Sequence, residues 1–154
     1  MRHPSLVPLS QAHHHGLALA LRCRKQALGQ IRPPGLEGLR QRAMEFRLFF
    51  TNHLVAHFRA EEQALFSHLR IQLPESRPII EQLIREHEQI RSTMAQLQDE
   101  LSLARTLFDL GDLLERHIRK EERELFPLFE NHLEANQAAA TGEAIKKILD
   151  SEKR

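Results

Sequence analysis

The sequence predicts an all-α protein, an up-down-up-down four-helix bundle with a short extra C-terminal helix. Apolar residues recur at helical spacing along most of the chain, in long stretches that Gly and Pro interrupt. The sequence also lacks sustained alternating runs of Val, Ile and Thr, the pattern typical of strands. Four long helices joined by short loops pack antiparallel to their neighbours, which is the arrangement of a four-helix bundle.

The predicted boundaries of the helices follow from Pro, Gly and capping residues. The helices are expected at about residues 10–30, 36–69, 78–99, 104–126 and 138–150. Ser10 is expected to cap the first helix, and Pro78 fits the first turn of the third. Pro127 is expected to end or kink the fourth helix, because proline cannot donate a helical hydrogen bond. The last helix is expected to pack on the outside of the bundle.

Length and composition narrow the class of protein. The 154 residues suit one domain, expected to span residues 1–154 with its core at about residues 10–130. A net charge of +1 gives no electrostatic basis for binding nucleic acid, and no apolar run is long enough to span a membrane. The single cysteine, Cys23, excludes an internal disulfide and a cysteine-rich zinc site. Since the start of the chain has no signal-peptide pattern, we expect a cytoplasmic protein.

Two similar segments carry the candidate chemistry: HFRAEEQALF, which begins at His57, and HIRKEERELF, which begins at His117. In each segment a Glu follows the His by four residues, so the two side chains lie within about 40° of each other around a helix. His57 therefore shares the apolar face of the second helix with Glu61. His117 shares that of the fourth helix with Glu121. The second Glu of each segment points about 140° away and is predicted to face solvent. These residues are Glu62 and Glu122.

The other two long helices each offer a histidine on an apolar face. In the third helix, His87 falls on the apolar stripe. In the first helix three histidines are consecutive, and the leucines that follow them define the expected inward face. Counting back from those leucines, His14 fits the inward face best and His13 comes next. His15 is expected to be exposed.

Together these residues predict a metal site between the helices. Burying Glu61 and Glu121 among apolar residues is costly unless a positive charge neutralises them, and the neighbouring Arg and Lys residues project to other faces. A bound cation is the simplest partner. Mixed nitrogen and oxygen ligation favours iron or manganese, with zinc also possible, and a carboxylate can bridge two ions. His53, one turn before His57, is expected to support the site from outside or to be an additional ligand.

Each piece of this pattern also has a simpler interpretation. A single inward His is commonly a hydrogen-bonded core residue, and a single His-x-x-x-Glu pair is an ordinary stabilising contact on one helix face. Only the combination of four inward histidines with two inward glutamates favours a metal over these alternatives.

The chain resembles hemerythrin-like proteins of the HHE cation-binding family. The resemblance rests on LSQAHHHGLAL, HFRAEEQALF, EHEQI and HIRKEERELFPLF, and it covers about residues 10–130. It implies one hemerythrin-like domain, a four-helix bundle that holds a non-haem di-iron centre. Two carboxylates, Glu61 and Glu121, would bridge the irons. Carried over by motif, the metal ligands are His14, His57, Glu61, His87, His117 and Glu121.

The sequence departs from oxygen-carrying hemerythrins in the third helix. Those proteins have a second His four residues after the third-helix His, and Arg91 stands there in this chain. The acidic ligand of the fourth helix is also spaced at four residues from its His rather than five. Both departures argue against reversible oxygen carriage and leave coordination positions open for water, oxygen, nitric oxide or peroxide.

Three functions are compatible with the sequence. The first is an iron-binding hemerythrin-like protein that binds oxygen, nitric oxide or peroxide for sensing, detoxification or iron handling. The second is a di-iron oxidase or peroxidase-type enzyme. The third is a metal-free helical interaction module. The sequence favours a metal-binding protein over a classical enzyme, with a small diatomic ligand or peroxide as its partner.

Overall fold

The computed structural model describes residues 1–152, which form an all-α bundle without a strand in that range. The fold class predicted from the sequence, four long helices with an extra C-terminal helix, is confirmed. The helices are α1 (Val7–Ala27), α2 (residues 35–72), α3 (Arg77–Met94), α4 (residues 103–132) and α5 (Ala135–Ser151). Within residues 1–152, no helix is both long and apolar enough to cross a membrane.

The first helix begins before Ser10, so the prediction that Ser10 caps it is wrong. A 3-10 turn over Pro4–Leu6 leads directly into α1, and a proline in the first turn of α1 needs no hydrogen-bond partner there. The hydroxyl of Ser10 instead donates to the carboxylate of Glu122, at 2.7 Å from one of its oxygens. The residue that was expected to cap a helix therefore links α1 to α4.

Helices α2 and α4 are continuous but contain π-helical segments, in which hydrogen bonds span five residues rather than four. In α2 these segments are Phe50–Leu54 and Glu61–Phe66, and in α4 the segment is Glu121–Leu125. Pro127 does not end α4, which continues to His132. The proline lies in the first turn after the π segment, where the helical hydrogen bonds are already rearranged.

The core consists of two groups of buried apolar residues with a polar layer between them. One group includes Leu9, Ala64 and Phe126, and the other includes Leu19 and Phe58. The polar residues lie at the level where the two groups meet, for example between Leu9 and Leu19 on α1 and between Leu83 and Ile90 on α3. The buried residues of the layer are His13, His57, Glu61, His87, His117 and Glu121.

Candidate metal centre

Six side chains from four helices meet in the polar layer. Helix α1 contributes His13 and α3 contributes His87, while α2 and α4 each contribute a His and a Glu one turn later. Five of the six residues predicted as ligands are brought together here, namely His57, Glu61, His87, His117 and Glu121. The sixth, His14, is not among them.

The prediction that His14 is the inward histidine of α1 is wrong. His14 is exposed, whereas His13 is 4% exposed. The inward face was inferred from the leucines that follow the histidines, but one of them, Leu21, is 44% exposed. The buried face of α1 instead consists of Leu9, His13, Gly16, Leu19, Ala20, Cys23 and Gln26, with small residues where α1 packs on α4. Close packing of α1 against α4 requires small side chains there, and Gly16 was the signal that pointed to His13.

One half of the centre lies between α1 and α2, and we call it the α1–α2 half. Its histidines, His13 and His57, have their Nε2 atoms 3.1 Å apart. The Nε2 atom of His57 lies 3.2 Å from Oε2 of Glu61. The Nε2 atom of His13 lies 3.0 Å from Oε1 of Glu121. Four ligand atoms from three helices therefore surround one point.

The other half lies between α3 and α4, and we call it the α3–α4 half. The Nε2 atoms of His87 and His117 are also 3.1 Å apart. Here the Nε2 atom of His87 lies 3.0 Å from Oε1 of Glu61, and that of His117 lies 3.5 Å from Oε2 of Glu121. Each carboxylate thus presents one oxygen to each half, which is the arrangement of a bridging carboxylate.

The geometry of these atoms fits a cation better than it fits hydrogen bonds. All four oxygens of Glu61 and Glu121 are buried without an aligned hydrogen-bond donor, although imidazole nitrogens lie close to them. Two imidazole nitrogens at about 2.1 Å from one ion and at right angles to each other would be about 3.0 Å apart. Each His pair matches that spacing. The residues therefore fit two metal ions, each held by two imidazoles and two carboxylate oxygens.

Comparison with known families agrees with this geometry. The sequence profile of the hemerythrin HHE cation binding domain matches residues 7–129. The chain belongs to the hemerythrin HHE cation-binding domain family. No curated protein and no solved structure gives a significant match to the chain. The match spans all six buried residues of the centre, so this HHE domain contains His and Glu clusters that can hold metal ions.

In the metal centre of this HHE domain, three of the four histidines have a carboxylate on the ring nitrogen that faces away from the centre. Glu122 accepts from Nδ1 of His13 at 2.5 Å, and Glu62 accepts from Nδ1 of His87 at 2.6 Å. The prediction that both glutamates face solvent is therefore wrong. A carboxylate on Nδ1 fixes the tautomer that leaves Nε2 free to bind a metal and makes the imidazole a stronger ligand.

The π segments explain why these two glutamates turn inward. Glu62 follows His57 by five residues, and Glu122 follows His117 by the same interval. In a regular α-helix such residues point in different directions. Each pair leads into a π segment, in which hydrogen bonds span five residues, so the second Glu is brought closer to the inward face. Sequence periodicity alone does not show a π segment.

Glu86 provides the third outer carboxylate, and sequence reasoning missed it. Its Oε1 accepts from Nδ1 of His117 at 2.8 Å. Glu86 is on α3 and His117 is on α4, so the pairing depends on how the two helices pack. The only signal in the sequence was that Glu86 directly precedes His87. For His57, no carboxylate of the described residues other than Glu61 lies within ion-pair distance.

The Arg91 side chain occupies the space beside the α3–α4 half. Its guanidinium donates to Glu62 at 2.9 Å and lies 5.5 Å from the centroid of the Phe58 ring. The Phe58 ring stacks on the ring of His87 with centroids 3.8 Å apart. Arg91 and Phe58 therefore cover the α3–α4 half, the side on which the sequence suggested an open coordination position.

The protein itself stabilises the negative charges of Glu61 and Glu121 to different extents. Although burial alone would lower it, the Glu121 and Glu86 carboxylates raise the pKa of His117 to about 9. Burial and the neighbouring His13 hold the pKa of His57 well below its usual range. Burial and the charge of Glu121 raise the pKa of Glu61 well above its usual value. For Glu121, burial alone would raise the pKa, but His117 together with contacts from Glu61 and His13 holds it well below its usual value. The protein alone thus stabilises the charge on one of the two carboxylates, and a cation would neutralise both.

His53 lies outside the metal-binding clusters found among the described residues. It is exposed, and its ring centroid lies 5.5 Å from that of Phe49. Together with Phe49 and Gly16 it lines a small cavity that reaches His57. His53 therefore borders the α1–α2 half from outside.

Proposed function

We propose that the protein is a non-haem iron-binding hemerythrin-like protein with a carboxylate-bridged di-iron centre. The ligands are the five buried residues predicted from the sequence, with His13 in the place predicted for His14. The observation that supports the proposal most strongly is that Glu61 and Glu121 each present one oxygen to each histidine pair. Iron suits this mixture of imidazole and carboxylate ligands, and manganese and zinc are the alternatives.

In this proposal the centre binds oxygen, nitric oxide or peroxide, for sensing, detoxification or iron handling. When bound, an iron pair supplies redox chemistry and a coordination position for such a ligand. The residues of the chain have other tasks. Glu62, Glu86 and Glu122 hold protons on Nδ1 atoms and orient three imidazoles, while the two apolar groups exclude bulk water from the ligand atoms.

A small ligand is favoured over a large organic substrate. The cavity that reaches the histidines of the α1–α2 half has a volume of only about 10 Å³. A space of this size is at the lower limit for a single water molecule, about 10–15 Å³. This observation supports a ligand-binding protein over an oxidase that acts on organic molecules.

Further proposals concern the domain and its location. We propose that residues 1–154 form one hemerythrin-like domain, since the family profile covers most of the chain. We also propose a cytoplasmic location, which the single, buried and unpaired thiol of Cys23 supports.

The test is the metal content of the protein after anaerobic reconstitution with ferrous iron. We expect about two irons per chain, one for each cluster of ligand atoms. Glu61→Gln and Glu121→Gln should lose iron, because an amide has no negative charge and only one oxygen, so it cannot supply an oxygen to both halves. Glu124→Gln is the matched control, since its side chain is on the same helix but 58% exposed. Well below one iron per chain in the wild type, with no loss in the two variants, would overturn the proposal.

A further inference from the structure

We propose that a small uncharged ligand reaches the metal centre through a groove between α1 and α2, past a gate formed by Phe49 and His53. This inference rests on the proposed function, because the ligand binds to the metal. It adds the path of access and the residues that control it.

The inner end of the path is the cavity of about 10 Å³ beside the centre. Three ligand histidines, His13, His57 and His117, lie on its inner wall, and the rest of the lining is mostly apolar. An apolar lining does not compensate an anion for its lost hydration, so an uncharged diatomic molecule fits this cavity better than a charged one.

The outer end of the path is a surface groove of about 470 Å³ between α1 and α2. Groove and cavity share three lining residues, which are Ala12, Phe49 and His53. Ala12 is small, so the rings of Phe49 and His53 form the larger part of the partition. His53 lies in the π segment Phe50–Leu54, directly before the helical turn that carries His57. At most two side chains therefore separate the groove from the cavity, and they lie next to the proposed metal ligand His57.

Gly16 keeps the inner cavity open. A Cβ atom added at Gly16 would lie 2.8 Å from Cδ1 of Ile118 and 3.7 Å from the tip of the Phe49 ring. The atom in closest contact is the end of a flexible side chain, so the chain can accommodate Gly16→Ala by a shift of Ile118. Both the added methyl group and the displaced Ile118 then occupy space in the cavity.

The side of the centre formed by α3 is covered. The rings of Phe58 and Phe66 both stack on the His87 ring, with centroid separations of 3.8 and 5.7 Å. The ion pair between Arg91 and Glu62 closes the same side. His87 is the one histidine of the centre that does not line the cavity, which assigns ligand access to the side of α1 and α2.

The gate is tested with nitric oxide as the probe, mixed anaerobically with the ferrous, iron-loaded protein in a stopped-flow instrument. His53→Ala and Phe49→Leu should raise the association rate by about tenfold, within the one to three decades over which such rates vary among variants of one site. The dissociation rate should rise as well, because the ligand leaves by the same path, so the affinity should change less than either rate. A structural disturbance of the centre would instead change the affinity.

His15→Ala is the matched control, since His15 lines the outer groove but not the cavity. It should leave both rates at the wild-type value. Rates unchanged in both gate variants, or rates that His15→Ala changes as much as His53→Ala does, would overturn the gate.

The cavity is tested with Gly16→Ala, which should weaken the binding of nitric oxide by reducing the space beside the ligand. Gly142→Ala is its control, because the added Cβ would meet the Ser5 hydroxyl at 2.5 Å, away from the centre. Equal affinity in the wild type and in Gly16→Ala would overturn the role of Gly16.

The iron content of every sample separates this inference from the proposed function. If the wild-type protein does not load iron, the proposed function fails and the access path fails with it. If all variants load iron to the wild-type level and the rates for nitric oxide do not change, only the access path is wrong.

Discussion

The two halves of the metal centre have the same ligand types in different surroundings. In the α3–α4 half, both histidines have a carboxylate on Nδ1, and aromatic rings cover His87. In the α1–α2 half only His13 has such a carboxylate, and a cavity reaches both of its histidines as well as His117. The coordinating residues alone would make the halves equivalent. Their neighbours cover His87 and leave the other three histidines beside the cavity, so ligand access lies away from α3.

The largest expected effect is on iron content. It distinguishes a residue whose oxygens face both halves from a residue that contacts only one half. Glu121→Ala should leave the protein nearly free of iron, because its oxygens lie 3.0 Å from His13 and 3.5 Å from His117. His13→Ala should remove iron from the α1–α2 half only, which leaves about one iron per chain of the two clusters. Metal analysis after anaerobic loading measures both.

The control for His13→Ala is the adjacent His14→Ala. His14 is exposed, so this variant should load the wild-type amount of iron. Equal iron loss in the two histidine variants would contradict the assignment of His13 as the ligand from α1.

The next effect concerns stability. It tests whether a metal bound in the polar layer adds to the stability that the two apolar groups provide. A metal that binds only the folded state at about 100 times its dissociation constant adds about 2.7 kcal/mol to the free energy of unfolding. For a chain of this length the melting temperature should rise by about 5–10 °C. Thermal unfolding of iron-loaded and chelator-treated protein measures the shift. An unchanged melting temperature would support the metal-free interaction module instead.

A smaller effect tests whether the outer carboxylates make the halves unequal. Glu86→Gln and Glu62→Gln should each weaken metal binding in the α3–α4 half by about 10–100-fold, because a carboxylate on Nδ1 strengthens an imidazole ligand. In the wild type, a titration with ferrous iron should show two steps, with the α3–α4 half filled first. The variants should bring the two steps together. A wild-type titration with two equal sites would show that the outer carboxylates do not distinguish the halves.

The sequence predicts those parts of the centre that depend on one helix at a time. His57 with Glu61 and His117 with Glu121 follow from a four-residue interval, and His87 follows from an apolar stripe. The failures occurred where a residue's direction depends on something else. The buried face of α1 runs through Gly16 and Ala20 rather than through Leu21 and Leu28, and this misplaced His14. The π segments turned Glu62 and Glu122 inward. The partner of His117, Glu86, is set by the packing of α3 against α4. The fold needed none of these details, so it was predicted more completely than the centre.

The smallest effect at neutral pH tests how tightly the apolar group that includes Leu19 and Phe58 is closed against water. Cys23 belongs to that group and is 0% exposed. Burial, with a contribution from Glu45, raises the pKa of the Cys23 thiol to about 12 from a reference value of 9.0. The unfolded chain therefore releases the thiol proton at a lower pH than the folded protein does. The stability that this thiol contributes is complete below pH 9 and is lost as the pH rises from about 9 to 12. At pH 10 the loss is about 1.4 kcal/mol.

Denaturant unfolding of the wild type and of Cys23→Ala between pH 8 and about pH 10.5 isolates this contribution, because other groups titrate equally in both proteins. The wild type should lose stability faster than the variant above pH 9, the reference pKa of the thiol. Parallel curves would mean that Cys23 ionises equally in the folded and unfolded states. In that case water reaches the apolar group that contains Cys23, and α1 packs less tightly on α4 than the burial of Cys23 indicates.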